Sequence, residues 1–266
     1  MPRKLRKWSE ENYALTEIKA VITDYIGTLT NAHKYSLESS RRKLHRILTE
    51  AGFETRLDAF LTAYSEAHEK YRVIRYKKLR EVTNAVWVSE ALNTLGYETN
   101  AKDLRIKASL NVFFQDYVDT LELRPYAKTL LRNIVKNCKL GLISNFTYAP
   151  VIYASLRKLG INQFFNAVIV SEDTGWRKPH KRIFQTALER LQVTAEETIY
   201  IGDSPLEDIE GAKTVGMKTF FVLSQFNALE DLGGLKQQPD IIAEHLQEVF
   251  ENFNRIINAK TEQECL

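Results

Sequence analysis

Near its amino end the chain contains the stretch Lys19-Ala20-Val21-Ile22-Thr23-Asp24-Tyr25-Ile26-Gly27-Thr28-Leu29. Residues 19–23 form a short, largely β-branched run that stops abruptly at Asp24, and Gly27 follows three residues later. This pattern is typical of a buried strand that ends in a turn. Asp24 is therefore expected at the carboxyl end of a strand inside the protein.

The second half of the chain alternates between short apolar strands and helices of about 10–15 residues. After Arg124-Pro125 the predicted strands are residues 140–143, 167–170, 198–201 and 219–222, and the predicted helices are residues 127–137, 151–159, 181–191 and 206–215. Such alternation is typical of right-handed βαβ units, which build a parallel, doubly wound sheet. The strand at residues 19–23 is expected in the same sheet.

The chain between these two parts has a helical pattern. From about Ser36 to Leu121 apolar residues recur at helical spacing, which predicts four helices and no strand. Ser36 is a candidate N-cap, and Gly52 is the expected end of the first helix. The sequence therefore predicts an α/β protein: a Rossmann-like, doubly wound parallel sheet core (1–30 and 121–266) with an inserted all-helical cap domain (31–120).

Composition excludes several other classes of protein. Of 266 residues, 44% are apolar and 27% charged, and only 11 are glycine and 6 proline, which excludes collagen-like and low-complexity chains. No run approaches the roughly 18 apolar residues of a membrane span, so no membrane partner is expected. The basic start is not followed by an apolar segment, which predicts no secretory signal, and two cysteines are too few for a disulfide framework. We expect a cytoplasmic protein.

The charge is mildly basic, because 37 Lys and Arg residues against 34 Asp and Glu residues give +3. Basic residues cluster at residues 3–7 and again at Arg72, Arg75, Lys77, Lys78 and Arg80. We interpret the two clusters as a mobile tail and a solvated helix face, and no nucleic-acid partner is expected. A site for RNA or an anionic substrate is the alternative, and nothing in the pattern indicates an oligomeric state.

Polar residues follow the predicted strands where each strand ends. Asp24 follows the first strand, Ser144-Asn145 the second and Asp203 the fourth, while Lys178 lies in the loop after the third. Ligands of open parallel sheets bind beyond the carboxyl ends of the strands, so these residues are expected to face one cleft. They offer a nucleophilic carboxylate, a hydroxyl, a cation and a second carboxylate.

Four short motifs that carry these residues resemble, in order, those of the haloacid dehalogenase-like hydrolase superfamily. They are Asp24-Tyr25-Ile26-Gly27-Thr28-Leu29, Ser144-Asn145, Trp176-Arg177-Lys178-Pro179 and Gly202-Asp203-Ser204-Pro205-Leu206-Glu207-Asp208. The helical insertion between the first two motifs resembles the type 1 cap of this family. The run Ser171-Glu172-x-x-Gly175-Trp176-x-Lys178-Pro179 looks closest to the "rhythmically expressed gene" branch.

The resemblance implies a mechanism and a cofactor. Asp24 would attack phosphorus to give an aspartyl-phosphate, and Lys178 would neutralise the phosphoryl oxygens. Phosphate binding would involve Ser144, Asn145 and Thr28. Mg²⁺, a hard cation that prefers oxygen ligands, would be held by Asp24, the backbone carbonyl of Ile26, Asp203 and Asp208.

One residue departs from the family pattern. Phosphatases of the family usually have an Asp two residues after the nucleophile as general acid and base, and here that residue is Ile26. Loss of such help typically costs about 10²–10⁴ in rate. Tyr25 is expected to point to the opposite face of the strand, whereas His33 and His180 are candidate replacements.

The cap follows no motif that identifies a substrate. Its candidate substrate contacts are Arg72, Arg75 and Asn84, and its candidates for the Schiff-base lysine of a phosphonatase are Lys70, Lys77 and Lys78.

The expected function is Mg²⁺-dependent hydrolysis of a small phosphorylated metabolite, with weakened acid–base catalysis. Two alternatives stay open. The first is a metal-independent 2-haloacid dehalogenase, which the pair Asp203 and Asp208 disfavours because the resemblance implies that dehalogenases generally lose it. The second is a pseudo-enzyme that binds a phosphorylated ligand without turnover.

Overall fold

The structure, a computed structural model, describes residues 17–33 and 36–264. Its strands are β1 (Ala20–Thr23), β2 (Thr30–Ala32), β3 (Leu121–Leu123), β4 (Lys139–Ser144), β5 (Ala167–Val170), β6 (Thr198–Gly202), β7 (Lys218–Val222) and β8 (Ile241–Ala243). Its α-helices are α1 (Leu37–Glu50), α2 (Leu57–Lys78), α3 (Asn84–Thr94), α4 (Leu104–Thr120), α5 (Ala127–Asn137), α6 (Ala149–Lys158), α7 (Ser171–Thr174), α8 (Lys181–Leu191), α9 (Gly211–Thr214) and α10 (Leu246–Glu264).

Six parallel strands form the main sheet in the order β5-β4-β1-β6-β7-β8. From β1 the chain builds outward through β4 and β5, and it then returns to the other side of β1 with β6. The strand order therefore reverses at β1, and parallel sheets bind their ligands at such a point. Asp24 follows β1 directly, so the sequence-predicted position of this residue is confirmed.

Both faces of the sheet are covered by helices. Val21 packs with α5, α6 and α10 on one face, whereas its neighbour Ile22 packs with α8 and α9 on the other. Successive side chains of a strand point to opposite faces, so the uninterrupted apolar run of β1 follows from burial on both sides. The predicted α/β, Rossmann-like, doubly wound sheet is confirmed.

Helices α1 to α4 form the insertion between β1 and β4. Ser36 caps α1 by accepting a hydrogen bond from the backbone N–H of Ser39, as predicted. The insertion has its own apolar cluster, which includes Phe60 and Trp87. It packs against the start of α6, where the ring of Phe114 stacks on Tyr148, the residue before the helix. The domain limits 1–30, 31–120 and 121–266 stay a prediction.

The prediction missed several elements. The short strands β2 and β3 pair antiparallel at the base of the insertion, on either side of the stretch predicted to be helical, where no element was predicted. The predicted helix 206–215 is a π-helical segment, Pro205–Glu210, followed by the single turn of α9. No element was predicted beyond residue 222, where β8 and α10 complete the sheet and one of its faces.

Other expectations concern the termini, the cysteines and a membrane. Residues 3–7 and Cys265 lie outside the described residues, whereas Cys138 is buried with its Sγ 3.4 Å from the carbonyl oxygen of Ile18. Among the residues that the structure describes, no helix is long and apolar enough to cross a membrane.

The turn after β1 approaches the end of β6 so closely that residue 27 has no room for a side chain. Gly27 has φ +101°, and a Cβ there would overlap the carboxylate of Asp203. Gly96 has a similar φ of +93°, but a Cβ there would meet nothing within 4 Å. The two glycines therefore separate the effect of backbone conformation from that of steric overlap.

We expect Gly27→Ala to lower the free energy of unfolding much more than Gly96→Ala. The control should lose about 1 kcal/mol, the usual penalty for a side chain in the left-handed region. Gly27→Ala should lose this amount and the additional energy of displacing Asp203. Urea unfolding of both variants measures the difference, and equal losses would contradict the close approach.

Candidate active site

Three carboxylates from separate parts of the chain meet at the carboxyl edge of the sheet. Asp24 follows β1, Asp203 follows β6, and Asp208 lies in the π-helical segment after β6. All three are buried, and they offer carboxylate oxygens within 4.8 Å of one another. The structure thus brings together the three Asp side chains that the sequence assigned to a metal.

The ammonium group of Lys178 lies between two of these carboxylates. Its Nζ donates to Asp208 Oδ1 at 2.6 Å and to Asp24 Oδ1 at 2.7 Å, and it contacts the Tyr200 hydroxyl at 3.1 Å. The Lys178 side chain is only 2% exposed. Burial opposes its charge, but Asp208 and Asp24 outweigh burial and raise the pKa of Lys178 well above its ordinary value. The two carboxylates within hydrogen-bond distance thus favour the charged form of Lys178.

Asn145 holds the main chain of Lys178 in place. The Asn145 Oδ1 accepts a hydrogen bond from the N–H of Lys178 at 2.9 Å, and Nδ2 donates to the carbonyl of Lys178 at 3.0 Å. The same Nδ2 donates to Glu207 at 2.9 Å. The side-chain amide predicted to bind phosphate thus bonds to protein groups and fixes the lysine.

Asp203 is held by hydrogen bonds from two directions. Thr28 donates to its Oδ1 at 3.0 Å, while Ser224 and Asn227 donate to its Oδ2 at 2.7 Å and 3.2 Å. Thr28 is fully buried and is not part of the cleft wall, so the structure does not bring it to the place predicted for phosphate binding. Its hydroxyl orients a carboxylate instead.

The site carries more negative than positive charge. Three carboxylates and one ammonium give a sum of −2 when all are ionised, and Asp24 Oδ2 is buried without a hydrogen-bond partner among the described residues. Burial raises the pKa of Asp24 to about 8 despite the charge of Lys178, and Asp208 and Asp203 add to the rise. Burial and Asp208 also raise the pKa of Asp203. The arrangement lacks positive charge, which a bound cation would supply.

These residues face a cleft of about 390 Å³. Ser144 and Asn145 line it, as predicted for residues at strand ends, and Ile26 lines it beside Asp24. The insertion contributes Tyr76, and the loop after β7 contributes Phe226 and Asn227.

The prediction missed these last three residues. The rule that ligands bind at strand ends would have indicated the loop after β7, had it been applied to that strand. Nothing in the local sequence distinguishes Tyr76 from other residues near the end of α2.

Tyr25 and His180 both lie near the candidate site in sequence, but their partners are away from the cleft. Tyr25 follows Asp24, and His180 is two residues after Lys178. The Tyr25 hydroxyl donates to Ser155 at 2.8 Å on the far side of β1, as predicted, and burial raises the pKa of Tyr25 to about 12. His180 caps α8 and stacks on Trp176. Of the residues that the structure describes, no histidine lines the cleft, so neither His33 nor His180 is placed to replace the missing acid.

The cap candidates named from the sequence also lie outside the cleft wall. They are Arg72, Arg75, Asn84, Lys70, Lys77 and Lys78. Lys70 pairs with Glu90, and Arg72 pairs with Glu69. The expectation of a solvated basic face is wrong for Arg75, which is buried because it pairs with the buried Glu81.

Comparison with known proteins agrees with this fold. A family model of haloacid dehalogenase-like hydrolases matches residues 18–216. A glyceraldehyde 3-phosphate phosphatase of Methanopyrus kandleri is 32% identical over 211 residues, which cover 76% of this chain and 82% of the relative. A protein of the same name from Methanocaldococcus jannaschii is 29% identical over 228 residues, which cover 80% of this chain and 89% of the relative.

A known crystal structure shows the same architecture. The 2-haloacid dehalogenase of Pseudomonas syringae pv. Tomato superposes with a TM-score of 0.66 at 22% identity, over 90% of this chain and 99% of that chain. Fold and family model together define an α/β enzyme of the hydrolase class. The chain belongs to the haloacid dehalogenase-like hydrolase family.

The buried carboxylates give stability an unusual dependence on pH. Because the pKa of Asp24 rises from 3.8 to about 8, the folded state binds this proton more tightly than the unfolded chain does. The stability that protonated Asp24 contributes is complete below about pH 4 and is lost as the pH rises towards 8.

In EDTA we therefore expect the melting temperature to fall between pH 5 and pH 8, and to fall less in Asp24→Asn, whose side chain stays neutral. Asp58→Asn removes an exposed carboxylate and should leave the slope of the intact protein unchanged. Calorimetry at several pH values measures the slopes. Identical slopes in the intact protein and Asp24→Asn would contradict the raised pKa.

Proposed function

We propose that this hydrolase cleaves a small phosphorylated metabolite, with Asp24 as the nucleophile. The observation that carries the proposal is the cluster of three buried carboxylates around one buried ammonium, with its sum of −2. Such a site suits an anionic substrate only together with a cation. The two relatives named glyceraldehyde 3-phosphate phosphatase support a phosphate ester as the substrate.

The residues present fit a magnesium ion. Asp24, Asp203 and Asp208 offer only oxygen ligands, as Mg²⁺ prefers, and Asp24 Oδ2 is a buried acceptor without a donor among the described residues. Ile26 lines the cleft beside them and offers a backbone carbonyl. When bound, Mg²⁺ would neutralise the charge of the carboxylates and of a phosphate group. A divalent ion would bring the sum over the four charged side chains to zero.

The chain's own residues would divide the reaction between them. A carboxylate oxygen of Asp24 forms a bond to phosphorus while the bond from phosphorus to the leaving oxygen breaks, and water then hydrolyses the aspartyl-phosphate. Lys178 supplies a positive charge beside the reacting carboxylate, and the hydroxyl of Ser144 is available to a phosphoryl oxygen. Thr28, Ser224 and Asn227 keep Asp203 in one orientation.

Proton transfer is the step that the residue at position 26 weakens. Ile26 can neither protonate the leaving oxygen nor deprotonate water, and no histidine among the described residues lines the cleft. We infer that the enzyme favours substrates whose leaving groups need little protonation. Slow turnover, rather than loss of ligand binding, is the expected consequence.

We expect hydrolysis of phenyl phosphate esters in Mg²⁺ and its loss in EDTA. Asp24→Asn, purified in the same way, should lose about 10³-fold or more in kcat, because a carboxamide is a poor nucleophile. A panel of small phosphate esters then identifies the substrate class. Unchanged hydrolysis by Asp24→Asn would overturn the proposal, and halide release from a 2-haloacid in EDTA would favour the dehalogenase alternative.

Ile26→Asp should increase turnover, because it restores a group able to carry the proton. The expected gain is at least about tenfold for a poor leaving group such as an alkyl alcohol, and smaller for nitrophenol, which leaves without a proton. Ile26→Asn introduces a side chain of the same size as Asp that cannot ionise, so its turnover should not increase. Equal gains for both leaving groups, or for both variants, would contradict the inference that the missing acid–base group at residue 26 limits turnover.

A further inference from the structure

A second cluster of buried charges lies where the insertion meets the core. Its centre is Glu81, in the connection from α2 to α3, whose side chain is 1% exposed. Its Oε1 accepts from Arg75 Nε at 2.9 Å, and its Oε2 accepts from Arg177 at 2.6 Å and from the hydroxyl of Ser171. Arg75 belongs to the insertion, whereas Arg177 and Ser171 belong to the core. One carboxylate therefore joins the two parts.

The backbone joins them at the same place. The N–H of Glu81 donates to the carbonyl of Gly175 at 3.0 Å, and the N–H of Arg177 donates to the carbonyl of Leu79 at 3.1 Å. Between these bonds the guanidinium of Arg80 stacks 4.0 Å from the ring of Trp176. Residues 79–81 thus pair with residues 175–177, which lead directly into Lys178.

Glu81 lies between two buried guanidinium groups of the same charge. Arg75 and Arg177 repel each other, and burial together with the charge of Arg177 lowers the pKa of Arg75. A buried carboxylate that accepts from both guanidiniums offsets part of this repulsion, and breaking such a group by removing one member is strongly destabilising. Without the charge of Glu81, the two arginines would no longer hold the insertion on the loop 175–178.

We propose that Glu81 is a positioning residue for Lys178, a role that rests on the proposed function. The loop 175–178 is fixed from two sides, by Asn145 of the core and by Glu81 with its backbone pairing from the insertion. The same docking places Tyr76, the residue after Arg75, in the wall of the cleft. The insertion therefore completes the site by fixing the lysine loop as well as by contributing Tyr76 to the cleft wall.

Glu81→Gln tests the proposal, with Glu90→Gln as its matched control. Glu90 is also held by three hydrogen bonds, from Lys70 and Tyr71, but all of its partners lie within the insertion. We expect amide hydrogen exchange of the segments 79–82 and 174–178 to become at least about tenfold faster in Glu81→Gln than in Glu90→Gln. Unchanged exchange in a folded Glu81→Gln protein would overturn the proposal, whatever the enzyme hydrolyses.

Kinetics of the same two variants connect the loop to the reaction. Misplacement of Lys178 should lower kcat/KM by about 10- to 100-fold and weaken inhibition by orthophosphate, while Glu90→Gln keeps both values. An inhibition constant does not depend on the amount of folded enzyme, so a purely structural defect would leave it unchanged. Faster exchange with unchanged kinetics would overturn the positioning role and leave the proposed function standing.

Glu81→Asp provides a second variant should Glu81→Gln fail to fold. It keeps the charge but is one methylene shorter, so it cannot contact Arg75, Arg177 and Ser171 together. We expect the same changes in exchange and in orthophosphate inhibition, with smaller amplitude. Wild-type kinetics in Glu81→Asp together with wild-type exchange would overturn the proposal. If the wild-type enzyme hydrolyses no phosphate ester, the proposed function fails, and the exchange experiment still decides whether Glu81 holds the loop.

Discussion

The site depends on one buried ammonium group, that of Lys178, placed between Asp24 and Asp208. A buried carboxylate is costly unless it is paired, and three carboxylates within 4.8 Å repel one another. Burial raises the pKa of Asp24 above its ordinary value, and Asp208 and Asp203 add to the rise, even though the charge of Lys178 opposes it. A bound cation would offset the negative charge that Lys178 leaves uncompensated.

The topology of the sheet explains why these groups meet. Asp24 and Asp203 follow adjacent parallel strands, β1 and β6. Asp24 lies one residue beyond Thr23, and Asp203 two residues beyond Ile201, the partner of Thr23 across the sheet, so both carboxylates lie at the same edge of the sheet. This part of the site could be predicted from the sequence, because a strand is a local pattern and parallel strands end at a common edge. The strand-end rule also indicated Lys178, but its role beside a phosphoryl group could be assigned only through the resemblance of its motif, since it lies eight residues beyond the end of β5 in an irregular loop.

The partners of these groups could not be predicted in the same way. Asn145 was expected to bind phosphate, yet its amide bonds to Lys178 and Glu207, which lie 33 and 62 residues away in the chain. Thr28 likewise bonds to Asp203 across 175 residues. Such hydrogen bonds depend on side-chain orientation between distant segments, and no local periodicity encodes them. The buried position of Arg75 was also missed. Its partner Glu81 lies beyond the end of α2, so the helical periodicity that predicts an exposed face does not include it.

The two buried charge clusters have opposite sign and are neighbours in the chain. Around Lys178 the carboxylates are in excess, whereas around Glu81 two guanidiniums face one carboxylate. Arg177 and Lys178 are consecutive, and Glu207 lies between the clusters, 3.6 Å from the guanidinium of Arg177 and bonded to Asn145. The insertion contributes one charge of each sign to the second cluster, Arg75 and Glu81, so the remaining positive charge beside the anionic cleft is that of Arg177 in the core. Because Coulomb interactions are strong where water is excluded, the buried carboxylate of Glu81 offsets much of the charge of Arg177 beside the cleft. The insertion thus affects the electrostatics of the cleft as well as its shape.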